Sequence, residues 1–308
     1  MYVIIDPIND KNKGITTYCD LLYKYIKSYG IDTFLYKKRK NQDITSFYKE
    51  VLTIFNGKDV LFEIPDAFCY LFPDLSKAHI RLHGNQAVLQ QKQGLKVDTE
   101  RLRKEAIAIN KSRYLSSPSL SNLNELKRLI KLKQNCLIYP NPIPTYTEST
   151  LDRDLEITFI GRFQHLKGIN FLKKFEKKIN KQIYIYTPSI PFWDKFFYKV
   201  IPHGISKQIV LHRSQVIVIP SLFESFSMVK YEALSSGCKV VTWDSTPFSQ
   251  DDESMGVYVA KSYLIDDFTS KIEIAAKDSN LENYKKSYVK FYEETKLSIL
   301  DNIKEMTP

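Results

Sequence analysis

Glu224, Glu232, Arg162 and Lys167 are the side chains whose types and spacing offer chemistry. The two carboxylates stand eight residues apart in Pro220-Ser-Leu-Phe-Glu-Ser-Phe-Ser-Met-Val-Lys-Tyr-Glu-Ala-Leu-Ser-Ser-Gly237. Along a helix that spacing is roughly 12 Å of rise. Such a pair is too far apart to share one bond, which needs about 5–10 Å between carboxyls. It suits the two ends of a long ligand with an anionic middle. Ser225, Phe226, Ser227, Met228 and Val229 read as the first helical turn, whose unpaired N–H groups suit a phosphate. A nucleotide diphospho-sugar has this layout. Arg162 and Lys167, five apart in Gly161-Arg-Phe-Gln-His-Leu-Lys-Gly168, can both reach one diphosphate, arginine as a fork and lysine as a point charge. Cations placed where leaving-group charge develops lower a barrier more than they stabilise the ground state. The plainer alternative is a helix start with two surface glutamates and a solvated loop with two chance cations.

These groups need elements to hold them. Val216-Ile-Val-Ile219 before the glutamates and Val240-Val-Thr242 after them read as strands, making a strand–turn–helix–strand unit of a parallel sheet. Leu155 to Ile160 reads as a strand running into the Arg162 loop and then a helix through Lys178. Ile183 to Tyr186 is a further strand. Pro191 to Phe197 reads as a short aromatic helix used for packing, with stacking on a ligand as the alternative. Val200 to Gly204 is a short strand ending in glycine, and 205–214 a small helix. Val257 to Val259 reads as the last strand, and helices follow at 263–276 and 281–303.

The first half alternates in the same way. Tyr2 to Asp6 reads as a strand, Lys11 to Ile15 as a loop, and Tyr18, Leu21, Leu22, Tyr25 and Ile26 repeat at helical spacing. Strands are expected at 33–36, 59–64, 78–83 and 114–118, with helices at 99–109 and 121–132. His83 falls at the carboxyl end of a strand, where open α/β sheets bind ligands, and a loop histidine with a structural partner is its alternative. His79 reads as a structural or surface residue. Lys127, Arg128, Lys131 and Lys133, beside Leu126, Leu129 and Ile130, could dock on anionic headgroups or form a solvated face. The prolines at 140, 142 and 144 and the polar residues to Thr150 mark the best linker.

The chain has 308 residues, enough for two domains, with 43% hydrophobic residues and 20 Tyr and 18 Phe. Its net charge of +10 favours anionic partners. Nucleic acid is disfavoured because no basic run is interleaved with aromatics. The four cysteines lie far apart, so neither a zinc site nor a disulfide framework is expected, and a reducing cytosol is the simplest home. No stretch reaches the roughly 18 apolar residues of a membrane span, and the opening strand leaves no room for a signal peptide.

The Pro220–Gly237 stretch resembles the Glu-x7-Glu signature of retaining glycosyltransferases of the GT-B type, glycosyltransferase family 4, also called group 1. Pro220, Ser221, Glu224, Phe226, Glu232, Ala233 and Gly237 keep the pattern. Ser225 and Ser227 depart from it, standing where the family usually has glycine. Arg162 and Lys167 match the family's G-R-x-x-x-x-K-G motif, Gly14 alone matches its amino-terminal G-G-x-x turn, and Tyr139-Pro-Asn-Pro-Ile143 is similar to its N-P-[IV] element.

The resemblance implies an α/β GT-B fold: two Rossmann-like domains with parallel sheets facing across a cleft, and a last helix crossing back. It implies an acceptor domain at 1–145, joined by a helix at about 285–308, and a nucleotide-sugar domain at 152–284. Glu232 would grip ribose, and Glu224 would hold the sugar and align its anomeric carbon. Arg162, Lys167 and the backbone at Ser225–Val229 would take the diphosphate, with Gly14 also near the donor. His83 would face the donor sugar. No metal or other cofactor is implied, and no D-x-D motif occurs; Asp251 and Asp252 are placed in a loop. The partners implied are a nucleotide-sugar donor and a glycan or lipid-linked glycan acceptor. The setting implied is bacterial surface polysaccharide or lipopolysaccharide synthesis in the cytoplasm, with peripheral contact at the inner face of a membrane. A sugar-nucleotide epimerase of the same fold and a basic nucleic-acid-binding protein are the alternatives.

Overall fold

The computed structural model describes residues 1–10, 14–202, 204–247 and 250–307. Lys11 to Lys13 of the expected first loop and His203 of the stretch 200–204 lie outside these. The chain divides into two compact units, one of residues 1–142 and 294–308 and the other of residues 143–293.

In the first unit the strands are β1 (Tyr2–Asp6), β2 (Thr33–Lys37), β3 (Leu61–Pro65), β4 (Ala78–Arg81), β5 (Tyr114–Ser117) and β6 (Leu137–Ile138). The helices are α1 (Gly14–Ser28), α2 (Ile44–Ile54), α3 (Gln86–Lys92), α4 (Thr99–Lys111) and α5 (Leu120–Lys127). Among the described residues the sheet has six strands in the order β2-β1-β3-β4-β5-β6, every pair parallel. β1 and β3 are buried on both faces, which is why they read as continuous apolar runs. Asp43, Asn85, Asp98 and Ser119 cap helices by accepting from backbone N–H groups two or three residues on.

α5 ends at Lys127, short of the expected Leu132. Leu126 is buried, and Arg128, just past the helix end, pairs with Glu125 inside it. The basic cluster is therefore not one amphipathic helix with an outward apolar stripe.

The second unit holds β7 (Leu155–Ile160), α6 (Ile169–Ile179), β8 (Tyr184–Tyr186), β9 (Lys199–Val200), α7 (Lys207–Arg213), β10 (Ser214–Ile219), α8 (Met228–Ser235), β11 (Lys239–Trp243), α9 (Gln250–Ser254), β12 (Val257–Ala260) and α10 (Ile265–Lys277). The last helix, α11 (Leu281–Met306), is divided between the units at Glu293 and Glu294. The six described strands run parallel in the order β12-β11-β10-β7-β8-β9. The strand order reverses between β7 and β10. Loops leaving their carboxyl ends diverge, which opens the crevice where doubly wound sheets bind ligands.

The boundary between the units falls after Pro142, inside the proline-rich stretch expected as a linker, and the residues that follow are packed on the second unit. Ile143 is fully buried in the core of the second unit, Tyr288 Oη donates to the Pro144 carbonyl at 2.6 Å, and Thr147 N donates to Ser235 O at 2.7 Å. The aromatic residues at 191–197 do not pack as expected: they form a short 3-10 turn at Trp193–Phe196 whose rings are exposed. Asp251 and Asp252 sit in α9 rather than in a loop.

Candidate active site

The loop after β7 and the turn after β10 leave the two strands that flank the reversal, so topology alone brings Lys167 toward Glu224. Close backbone contact then locks them. Gly168 has φ +75°, and a Cβ there would stand 1.9 Å from the Pro220 carbonyl oxygen. Only glycine fits so close an approach in that conformation. Next to it Leu222 N donates to Leu166 O at 2.8 Å. Across this seam Lys167 Nζ pairs with Glu224 Oε1 at 2.6 Å, and Ser221 Oγ donates to the same oxygen at 2.7 Å. Both side chains stay partly open, 24% and 12% exposed. Arg162, near the start of the loop, is exposed.

Glu232 lies inside α8. Its Oε1 pairs with Lys207 Nζ at 2.6 Å, while its buried Oε2 has no hydrogen-bond partner. Lys207 is the first residue of α7, capped by Ser206, whose Oγ accepts from Ile209 N. Nothing in the sequence marked Lys207: it is 25 residues from Glu232, and a lysine opening a helix is unremarkable until the fold places it. An unsatisfied buried carboxylate oxygen is costly, and a hydroxyl donor from a ligand would satisfy it.

The helix start differs from the expected one. α8 begins at Met228, so Ser225 to Ser227 precede it and the two glutamates do not share a helix. Ser227 is its N-cap, in the left-handed region at φ +65°, with its buried Oγ unpaired. That is a conformation glycine adopts at lower cost. Phe226 is buried against Tyr231 at 4.8 Å between ring centroids. Met228 and Val229 pack on the same core. Those three side chains point to the core, so the turn at 225–227 presents its backbone rather than apolar side chains.

Behind α8, Lys230 is 1% exposed and pairs with Asp252 of α9 at 2.5 Å; its Nζ also donates to Pro247 O at 2.9 Å. Burial pulls the Lys230 ammonium below its ordinary range, and the Asp252 carboxylate opposes that shift. The pair ties the helix carrying Glu232 to the segment after β11.

In the first unit, Gly14 opens α1 with clear space around its α-carbon and an unexceptional φ. Its backbone does not require glycine. His83 lies two residues beyond β4. Its ring meets Tyr18 edge-on at 4.4 Å, and its backbone N–H donates to Asp66 Oδ1 at 3.1 Å. Burial, then the Arg81 charge, push the imidazole down to about 3, so at neutral pH it is uncharged. Burial pushes the Asp66 carboxyl up to about 7. Beneath lies a buried network the sequence did not reveal. Tyr2 and Tyr18 donate to Glu63, and His79 joins Tyr2 Oη at 2.7 Å to Ser116 Oγ at 2.6 Å. Arg81 spans from the Tyr139 carbonyl to Asn141 Oδ1, 2.8 Å from each. His79 is thus structural.

Residues 199–295 match the family described as Glycosyl transferases group 1. No curated protein matches the chain by sequence. Among solved structures, sucrose-phosphate synthase from Thermosynechococcus elongatus is similar at 14% identity, with 99% of this chain and 98% of that chain covered and a TM-score of 0.77. WaaG, a glycosyltransferase involved in lipopolysaccharide biosynthesis, is similar at 10% identity, with 100% and 99% covered and a TM-score of 0.70. Anabaena HepE, solved with UDP and glucose, is similar at 10% identity, with 99% of each chain covered and a TM-score of 0.69. The fold is that of GT-B glycosyltransferases, the second unit carries a glycosyl transferases group 1 domain, and the chain is a glycosyltransferase.

Proposed function

We propose that the chain is a retaining glycosyltransferase of family 4, moving a sugar from a nucleotide diphospho-sugar to a hydroxyl of a glycan or glycolipid. The observation that carries this reading is the Lys167–Glu224 pair at 2.6 Å on the seam at Gly168. In this reading the donor separates the pair. Lys167, with Arg162, turns to the diphosphate, and Glu224 is released to the sugar hydroxyls. Glu232 takes the ribose through Oε2, while Lys207 keeps its Oε1 neutralised. The turn at Ser225–Val229 offers backbone N–H groups to phosphate oxygens. The acceptor oxygen attacks from the leaving-group face and passes its proton to the departing phosphate, so configuration is retained. Two loop cations and the start of α8 stabilise the diphosphate, and no divalent metal is part of the proposal. UDP accompanies HepE in its solved complex, which makes a UDP-sugar the first donor to try. The likeness to WaaG supports a place in bacterial surface polysaccharide or lipopolysaccharide assembly. His83, neutral at physiological pH, is proposed as a sugar-facing hydrogen-bonding imidazole.

Calorimetry with UDP, GDP, ADP and CMP, each beside its nucleoside, tests the site. Lys167→Ala should weaken the matching diphosphate about tenfold or more and its nucleoside little, since a charge-assisted bond is worth about 1.5–3 kcal/mol. Equal losses for both would remove Lys167 from the phosphate site. Glu224→Ala should abolish transfer with the fold intact; wild-type turnover would remove Glu224. Unchanged turnover in chelator is expected. Donor incubated alone should yield no new sugar nucleotide, and an epimerised product would overturn the transferase reading.

A further inference from the structure

Four large aromatic side chains stand in solvent within six residues of the second unit: Phe192 at 64% exposed, Trp193 at 75%, Phe196 at 70% and Phe197 at 65%. Three of them, Phe192, Trp193 and Phe196, pack on one another. Phe192 lies 5.5 Å from Trp193 and 5.4 Å from Phe196, centroid to centroid, with Trp193 and Phe196 at 6.3 Å. Single exposed apolar residues are ordinary, whereas a contiguous aromatic patch marks a surface that is covered in use. The segment leads into β9, which lies at one edge of the sheet.

The charges around the patch identify its cover. Lys195 is exposed among the rings, and Lys199 is exposed two residues beyond them. Tyr198, between Phe197 and Lys199, has the ammonium of Lys173 over its ring at 4.7 Å. Lys173 and the adjacent exposed Lys174 begin the lysine-rich face of α6. Glu176 pairs with Lys173 at 2.7 Å, and Asp194 is the carboxylate within the aromatic segment itself. A sugar-stacking platform would need several carboxylates and amides around the rings to fix hydroxyls. Here the carboxylates are Glu176, already paired with Lys173, and Asp194, and lysines outnumber them around the rings. Aromatic rings rimmed by lysine ammoniums match the headgroup region of an anionic bilayer, where amphipathic rings sit at the acyl boundary and lysines meet lipid phosphates.

We propose that the Phe192–Phe197 segment, with Lys195, Lys199 and the adjoining start of α6, is a docking surface for an anionic phospholipid bilayer. This puts a lipid contact in the second unit, away from the basic cluster at 127–133 that the sequence offered either for headgroups or as a solvated face. It is independent of the donor chemistry at Glu224 and Glu232.

The two tryptophans make the test direct. Trp243 is fully buried in the core and Trp193 is exposed, so an emission change on adding vesicles reports Trp193. With phosphatidylcholine–phosphatidylglycerol vesicles the emission should shift to the blue and be quenched by brominated acyl chains. Co-sedimentation should weaken with salt and be far lower on pure phosphatidylcholine. Trp193→Ser with Phe196→Ser should lower vesicle affinity about tenfold or more. Lys195→Glu should lower it about fivefold or more. Both variants should keep the Trp243 emission and nucleotide affinity of the parent. No sedimentation with anionic vesicles, or sedimentation that both variants leave unchanged, would overturn the proposal. So would a Trp193 shift produced by soluble oligosaccharide alone, which would make the patch a glycan platform. A concentration-dependent dimer lost in the serine variant, without vesicle binding, would likewise overturn it in favour of a second copy.

Discussion

Replacing Gly168 by alanine tests the seam on which the site depends. The new methyl would meet the Pro220 carbonyl oxygen at 1.9 Å, so that gap has to widen past 3.0 Å before any real Cβ fits. The obstacle is backbone, which cannot rotate away. Three costs add. Alanine at φ +75° carries about 1–2 kcal/mol of left-handed strain. Pushing two packed loops apart costs about 1–3 kcal/mol. The Leu222–Leu166 hydrogen bond beside the contact, worth about 0.5–1.5 kcal/mol, is stretched or lost. Stiffening the unfolded chain returns about 0.4–1 kcal/mol. The net expectation is a loss of about 1.5–6 kcal/mol.

Two other glycines separate these costs. Gly237 also has positive φ, +73°, but its Cβ would meet Arg153 Nη2 at 2.8 Å, the far end of a movable side chain. Gly237→Ala should therefore cost about 1–2 kcal/mol, mostly strain. Gly14 has open space and no positive φ, so Gly14→Ala should be neutral or stabilising by up to about 1 kcal/mol. Urea titrations followed by the emission of Trp243 would rank the three. Calorimetry on the folded Gly168→Ala protein should also show weakened nucleotide diphosphate, because Lys167 shifts with its neighbour. If Gly168→Ala costs no more than Gly237→Ala, or leaves diphosphate affinity untouched, the reasoning about the seam is wrong.

Other expectations concern single groups. Ser227→Gly should raise stability by about 0.5–1 kcal/mol, since glycine relieves the strain at φ +65°; a loss in the same urea assay would count against strain there. Lys230→Met should destabilise by about 3–5 kcal/mol by taking away the ammonium that faces the buried Asp252 carboxylate, and adding Asp252→Leu should recover most of it. Additive losses in that double variant would show that packing, not charge, is at stake. The Asp66 carboxyl, raised to about 7 from an ordinary 3.8, contributes stability that is full below about pH 4 and declines as pH rises toward 7. The His83 imidazole, lowered to about 3 from 6.5, contributes stability that is full above about pH 6.5 and declines as pH falls toward 3. The two slopes oppose each other between about pH 4 and 6.5. In melts against pH, His83→Gln should expose the Asp66 decline and Asp66→Asn the His83 rise, and parallel profiles in all three proteins would refute both assignments.

By itself the sequence determined the α/β character of both halves, the strands around Glu224, and the grouping of Arg162 and Lys167 in a strand-to-helix loop. Those features are local: apolar runs, helical spacing and glycine turns act over a few residues, and physics at that range is written in neighbouring letters. Tertiary structure decided the rest. Lys207 reaches Glu232 across 25 residues and Lys230 is buried on Asp252. Ser227 becomes the left-handed cap of α8, so the helix starts three residues later than the pattern indicates. The rings at 192–197 face water where their composition pointed inward. Each outcome depends on which surface another part of the chain brings alongside, and burial and charge pairing are properties of that arrangement.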